Sequence, residues 1–207
     1  MPPLRTTSLA GRLGAVLPDL ITVGLFAFAW CFPLAVDGLV RSLALVMIVE
    51  FFLILATGFF SVYTLVSDSG RQQTFILVGA AAFYLLFIGV NALIFGEWWP
   101  VLVFVWLLVG KLPWLRLPAD ARERLLFPAV MVWAASVLIY LLAVIVPLLL
   151  PMPEFGIASE IVPRLGMEGE GEWMERPQTV VAAGMMHFFL LALLKHYLHV
   201  QDLYLNR

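Results

Sequence analysis

Apolar residues fill this chain in six long blocks, at about 15–36, 42–66, 72–95, 99–115, 125–150 and 178–200, with short polar interruptions between them. A helix needs about 20 predominantly apolar residues to cross the hydrocarbon core of a bilayer. Five blocks reach that length and the fourth is short. None alternates apolar and polar positions as a barrel strand does, and all exceed strand length. The pattern predicts an all-α, polytopic integral membrane protein, a bundle of six transmembrane helices forming one transmembrane domain over 1–207.

The interruptions carry turn chemistry. Asp37 and Gly38 close the first block, and Ser67, Asp68, Ser69 and Gly70 the second. Gly96 and Glu97 precede Trp98, Trp99 and Pro100, and a polar link runs from Pro118 to Arg124. Pro151 and Pro153 open a loop over 152–177 that holds Glu154, Glu160, Glu168, Glu170, Glu172 and Glu175. Within it, Glu160, Ile161, Val162 and Leu165 read either as a short amphipathic turn broken at Pro163 or, given the glycines nearby, as disordered chain.

Charge placement sets the expected orientation. With the N-terminus inside, nine of the 12 Lys and Arg residues fall on inner segments: Arg5, Arg12, Arg71, Lys111, Arg116, Arg122, Arg124, Lys195 and Arg207. Arg41, Arg164 and Arg176 fall outside. This bias predicts cytoplasmic N and C termini and an extracytoplasmic acidic loop, in a multi-pass protein of a bacterial cytoplasmic (inner) membrane. The first block is longer than a signal-peptide core and has bulky Trp30, Phe32 and Pro33 where cleavage would need small residues, so it reads as a retained span.

Composition narrows the class further. The chain is 63% hydrophobic and 13% charged, too apolar for a soluble domain of this size. A net charge of -2 gives no reason to expect a nucleic-acid partner; the expected partners are the lipid bilayer, a second copy of the chain, or a protein at the acidic loop. Cys31 is the single cysteine, which excludes an intrachain disulfide and a CxxC redox pair. No G-x-S-x-G elbow, phosphate loop or H-E-x-x-H helix occurs, so neither an enzyme nor a cofactor is expected.

The informative residues are those that lipid makes costly. Glu50 lies about nine residues into the second block, roughly 13 Å deep, where an ionised carboxylate costs several kcal/mol unless paired, hydrated or protonated. Thr57, Ser61, Thr64 and Asp68 fall within about 40° of it on a helical wheel. The stripe reads as a hydrated path from the cytoplasm to Glu50, or as a protonated Glu bonded to a neighbouring helix with Thr and Ser bonding back to their own turns. His187 is expected at similar depth in the sixth block, where a Glu50–His187 pair would exchange a proton or simply tie two helices. Ala183 and Gly184 share its face and allow close approach.

Asp19 and Lys195 are a candidate helix–helix ion pair near the cytoplasmic side. The simpler alternatives are a carboxylate in a first helical turn after Pro18 and a snorkelling lysine. His196, His199 and Asp202 fan over about 120° of one helix, too wide for a metal site without help from another helix. Tyr84 with Asn91, and Ser136 with Tyr140, mark faces expected to point into a bundle. Two readings follow: a transporter or channel with Glu50 as its ionisable centre, or a non-catalytic subunit or scaffold that oligomerises or binds a partner.

Overall fold

A computed structural model describes residues 9–66, 71–102, 104–105, 119–167 and 171–205. The described residues are mainly helical in the apolar blocks and contain no strand. The long helices are α1 (Leu9–Cys31), α2 (Leu39–Val66), α3 (Arg71–Phe95) and α4 (Ala119–Leu149). A 3-10 turn (Val162–Leu165), the short α5 (Glu172–Glu175) and the long α6 (Pro177–Leu205) complete the order. Four stretches are long and apolar enough to cross a membrane: Leu39–Phe60, Phe75–Leu93, Phe127–Leu149 and Pro177–Leu198. The apolar part of α1, Val16–Cys31, is shorter. Of the expected fourth span, residues 99–102 and 104–105 are helical, and the remainder lies outside the described residues.

The helix ends have local causes. The first block is apolar to Val36, but α1 stops at Cys31. Pro33 has no amide to donate, and it pushes Phe32 away from helical backbone angles. Gly38, at φ 67°, turns the chain into α2, a conformation that costs glycine little. At the end of α3, the Gly96 amide donates to the Leu93 carbonyl and that of Glu97 to Ala92, with Gly96 at φ 68°. This is a Schellman ending. Helix α4 begins at Ala119, six residues earlier than the apolar block, because the polar segment after Pro118 continues the helix rather than linking to it. Helix α6 starts with Pro177, whose missing amide costs nothing in a first turn. There the Thr179 hydroxyl donates to the Arg176 carbonyl at 2.7 Å.

The chain divides into two compact units, residues 1–44 with 139–207 and residues 45–138. In the first, α1 packs along α6. They run antiparallel, since Asp19 meets Lys195 while Phe26, further along α1, meets Gly184 and Phe188, earlier in α6. The 150–157 segment closes over the end of α1: the Trp30 indole donates to the Pro153 carbonyl at 3.0 Å, and the Gly156 amide donates to the Trp30 carbonyl at 3.0 Å. A Cβ at Gly156 would collide with the Cys31 carbonyl, so this crossing needs glycine. In the acidic loop, Pro163 lies at the start of the 3-10 turn rather than breaking it.

In the second unit, Ala56 and Phe60 of α2, Leu77 and Ile88 of α3, and Phe104 form a buried cluster. Tyr84 joins it, its ring 6.0 Å from Phe104 and 6.3 Å from Phe60. In the apolar stretches of α3 and α4 only 17% and 11% of the residues are buried by the chain, against 67% for that of α6.

Candidate functional site

The candidate residues Asp19, His187 and Glu50 sit inside the apolar helices and have different environments. Asp19 lies in α1, buried to 7% exposure. Because α1 begins at Leu9, Asp19 is in the third turn and Pro18 is inside the helix. The helix-dipole account of Asp19, which needs a first-turn position, therefore fails. Its carboxylate instead meets Lys195 of α6, Nζ to Oδ2 2.6 Å. The pair is lopsided: the carboxylate is buried and the lysine side chain is 45% exposed. The lysine keeps access to solvent while the carboxylate does not.

His187 lies two turns earlier on the same helix, about 12 Å along its axis. It is fully buried. The Tyr140 ring stands edge-on to the imidazole with centroids 5.3 Å apart, and Phe188 does the same at 5.0 Å. Gly184, one turn before His187, faces the Phe26 ring of α1, and a Cβ there would overlap that ring. The small face around Gly184 is thus filled by an aromatic side chain. Phe26 in turn stacks on Phe188 at 5.9 Å. His187 sits behind this aromatic layer, within the first unit.

Glu50 and Thr57 belong to the second unit. Both are half-buried in α2, and Glu50 lies about halfway along its apolar stretch Leu39–Phe60. The side chains of Ser61, Thr64 and Asp68, which complete the polar stripe, lie outside the described residues. One turn after Glu50, the Trp133 indole of α4 donates to the Ile54 carbonyl at 3.2 Å. The same ring lies against Gly58, where a Cβ would overlap it. Tryptophan here serves as a wedge with a polar handle: the ring fills the glycine notch and its one N–H finds an acceptor.

The structure brings Asp19 and Lys195 together. It places His187 in one compact unit and Glu50 with Thr57 in the other. The Asn91 amide donates to the Phe87 carbonyl and the Ser136 hydroxyl to the Val132 carbonyl, each 2.9 Å and each within its own helix. Those polar groups are thus satisfied by the preceding turn. His196 is exposed, and His199 and Asp202 lie outside the described side chains. Among the described residues no group of three His, Cys, Asp or Glu converges on a metal-sized site.

Two contacts were not anticipated from the residue pattern: Trp30 with the 153–156 segment, and Trp133 with Ile54 and Gly58. The available signal was a tryptophan inside an apolar block, whose indole N–H must find an acceptor when buried. That requirement names the donor but not its partner. Comparison of the chain with protein-family models, curated proteins and solved structures gives no match.

Proposed function

We propose that this membrane protein is a small transporter or channel whose ionisable centre is Glu50. Thr57, two turns further along the same helix, lies on the approach from the cytoplasm, and Ser61 follows it one turn later in the sequence. In this reading the chain crosses a bacterial cytoplasmic membrane six times, with both termini inside and the acidic loop outside. It carries out no chemistry of its own and needs no cofactor.

The observation that carries the reading is the position of Glu50, a carboxylate about halfway along the apolar stretch Leu39–Phe60 and only half-buried. A charge at that depth costs several kcal/mol unless it is hydrated, paired or protonated, and intramembrane carboxylates of this kind serve ion and proton pathways. The half-buried Thr57, two turns on, offers water a polar foothold toward the cytoplasmic end.

Accessibility tests it. In a Cys31→Ser background, Thr57→Cys should react with a membrane-impermeant thiol reagent in inside-out vesicles and far more slowly in right-side-out ones. A thiol at this position that is inert from both sides would mean a dry helix face and would remove the access path.

A second reading is a non-catalytic subunit or scaffold. It is favoured by the open apolar faces of α3 and α4, with 17% and 11% of their apolar stretches buried by the chain itself. Lipid covers such faces in a monomer; a second copy or a partner helix covers them in an assembly. The same accessibility experiment separates the readings, because a scaffold keeps Thr57 dry.

A further inference from the structure

The turn between α1 and α2 and the 3-10 turn of the acidic loop border a half-open cavity of about 200 Å³. Its wall is built from Pro33, Val40 and Leu165, all buried, and its lining includes one acid, Asp37, and one base, Arg164, both exposed. Among the described residues neither of these two side chains has a hydrogen bond or ion pair. The cavity is therefore bounded by two opposite charges that do not neutralise each other.

That combination selects a ligand class. A simple cation would meet Arg164 and a simple anion would meet Asp37. A zwitterion presents the matching charge to each. The volume is below the roughly 300–1,000 Å³ of pockets for drug-sized ligands, so a headgroup-sized molecule fits better than a large solute. The guanidinium favours a phosphate, which it binds through paired N–H groups. The carboxylate favours a primary ammonium, which can donate hydrogen bonds where a quaternary one cannot.

Position adds the source. The cavity residues 33–40 end where the apolar stretch Leu39–Phe60 begins, so with α2 read as a membrane span the cavity lies at the level of lipid headgroups. Leu34 and Val36, exposed apolar residues of its lining, continue outward and offer a surface for the glycerol and upper acyl carbons. We propose that the Asp37–Arg164 cavity binds the phosphate ester of a primary amine, as the headgroup of a phosphatidylethanolamine lipid. This site is separate from the Glu50 path and does not depend on transport.

The test is native mass spectrometry of the full-length protein from micelles holding equal phosphatidylethanolamine, phosphatidylcholine and phosphatidylglycerol. The ethanolamine lipid should be retained over choline lipid by roughly threefold or more, the scale of one partly exposed charged contact. Asp37→Asn should bring that ratio to about one, and Arg164→Gln should lower retention of the ethanolamine lipid by a similar factor. Arg164→Lys should keep most of it. Equal retention of ethanolamine and choline lipids by the unaltered protein, or variants that retain lipid as it does, would overturn the proposal. Excess free phosphoethanolamine that displaces the lipid would assign the same amine–phosphate chemistry to a soluble ester; lipid that stays bound assigns it to the membrane. In a Cys31→Ser background, labelling of Ser42→Cys and Ser67→Cys with an impermeant thiol reagent from opposite sides of the membrane checks the reading of α2 as a span independently of this selectivity.

Discussion

The Lys195 ammonium lies 2.6 Å from the Asp19 carboxylate, and this contact joins the first long helix of the chain to the last. The two residues are not equivalent. Removing Lys195 leaves a buried carboxylate without its counter-charge, whereas removing the charge of Asp19 leaves a half-exposed lysine that water can solvate. Lys195→Met should therefore destabilise the protein by about 1–2 kcal/mol, with the exposed side of the pair keeping the cost below that of a fully buried one. Asp19→Asn should cost less. The double variant should recover part of the Lys195→Met loss. Thermal unfolding of the four proteins in one detergent, read as a double-mutant cycle, measures the coupling.

Gly184 gives a steric prediction within the same helix pair. A methyl at this position overlaps the Phe26 ring, which is itself fully buried and stacked on Phe188. Gly184→Ala should cost about 1–3 kcal/mol through overpacking. Adding Phe26→Leu should return part of that loss, because the shorter side chain vacates the notch. A Gly184→Ala protein that melts like the parent would show that α1 can shift away from α6 without penalty.

The tryptophan wedge of the second unit predicts a different pattern. Trp133→Phe keeps most of the ring in the Gly58 notch but loses the donor to the Ile54 carbonyl. Its expected cost is about 0.5–1.5 kcal/mol, since the carbonyl retains its partner within the helix. Gly58→Ala should cost more, because the methyl and the indole cannot share one place. Combining Gly58→Ala with Trp133→Leu should be milder than Gly58→Ala alone. Unfolding midpoints in detergent decide the order.

Much of this architecture is legible in the residue pattern, and the parts that are not have a common cause. Apolar runs and turn residues locate the helices, because lipid-facing and buried helical residues are both apolar and glycine and proline punctuate them. Helix ends are less legible. The pattern carries α1 to Val36, past the proline that ends it, and starts α4 after a polar segment that is in fact helical. Neighbours are harder still. Asp19 and Lys195 can be nominated as a pair from depth alone, but depth cannot distinguish a pair from a capping carboxylate and a snorkelling lysine. That distinction needed the start of α1 at Leu9 and the antiparallel contact with α6. Gly184 shows the same limit: its smallness predicts close approach, but not that a phenylalanine ring rather than a helix backbone fills the space.

The loop over 152–177 tests the expected orientation. Ser159 is exposed and lies before the 3-10 turn. In the Cys31→Ser background, Ser159→Cys should react with an impermeant maleimide added to intact cells. Labelling only after the membrane is permeabilised would place this loop in the cytoplasm and reverse the assignment of both termini.

In the proposed function Glu50 carries protons or ions across the membrane. The most direct measurement is proton flux in liposomes holding the purified protein, driven by an imposed pH gradient and followed with a trapped pH indicator. The flux should exceed that of empty liposomes, be abolished by Glu50→Gln and be at least partly kept by Glu50→Asp, with both variants folding like the parent. Flux in Glu50→Gln equal to that of the parent would contradict it.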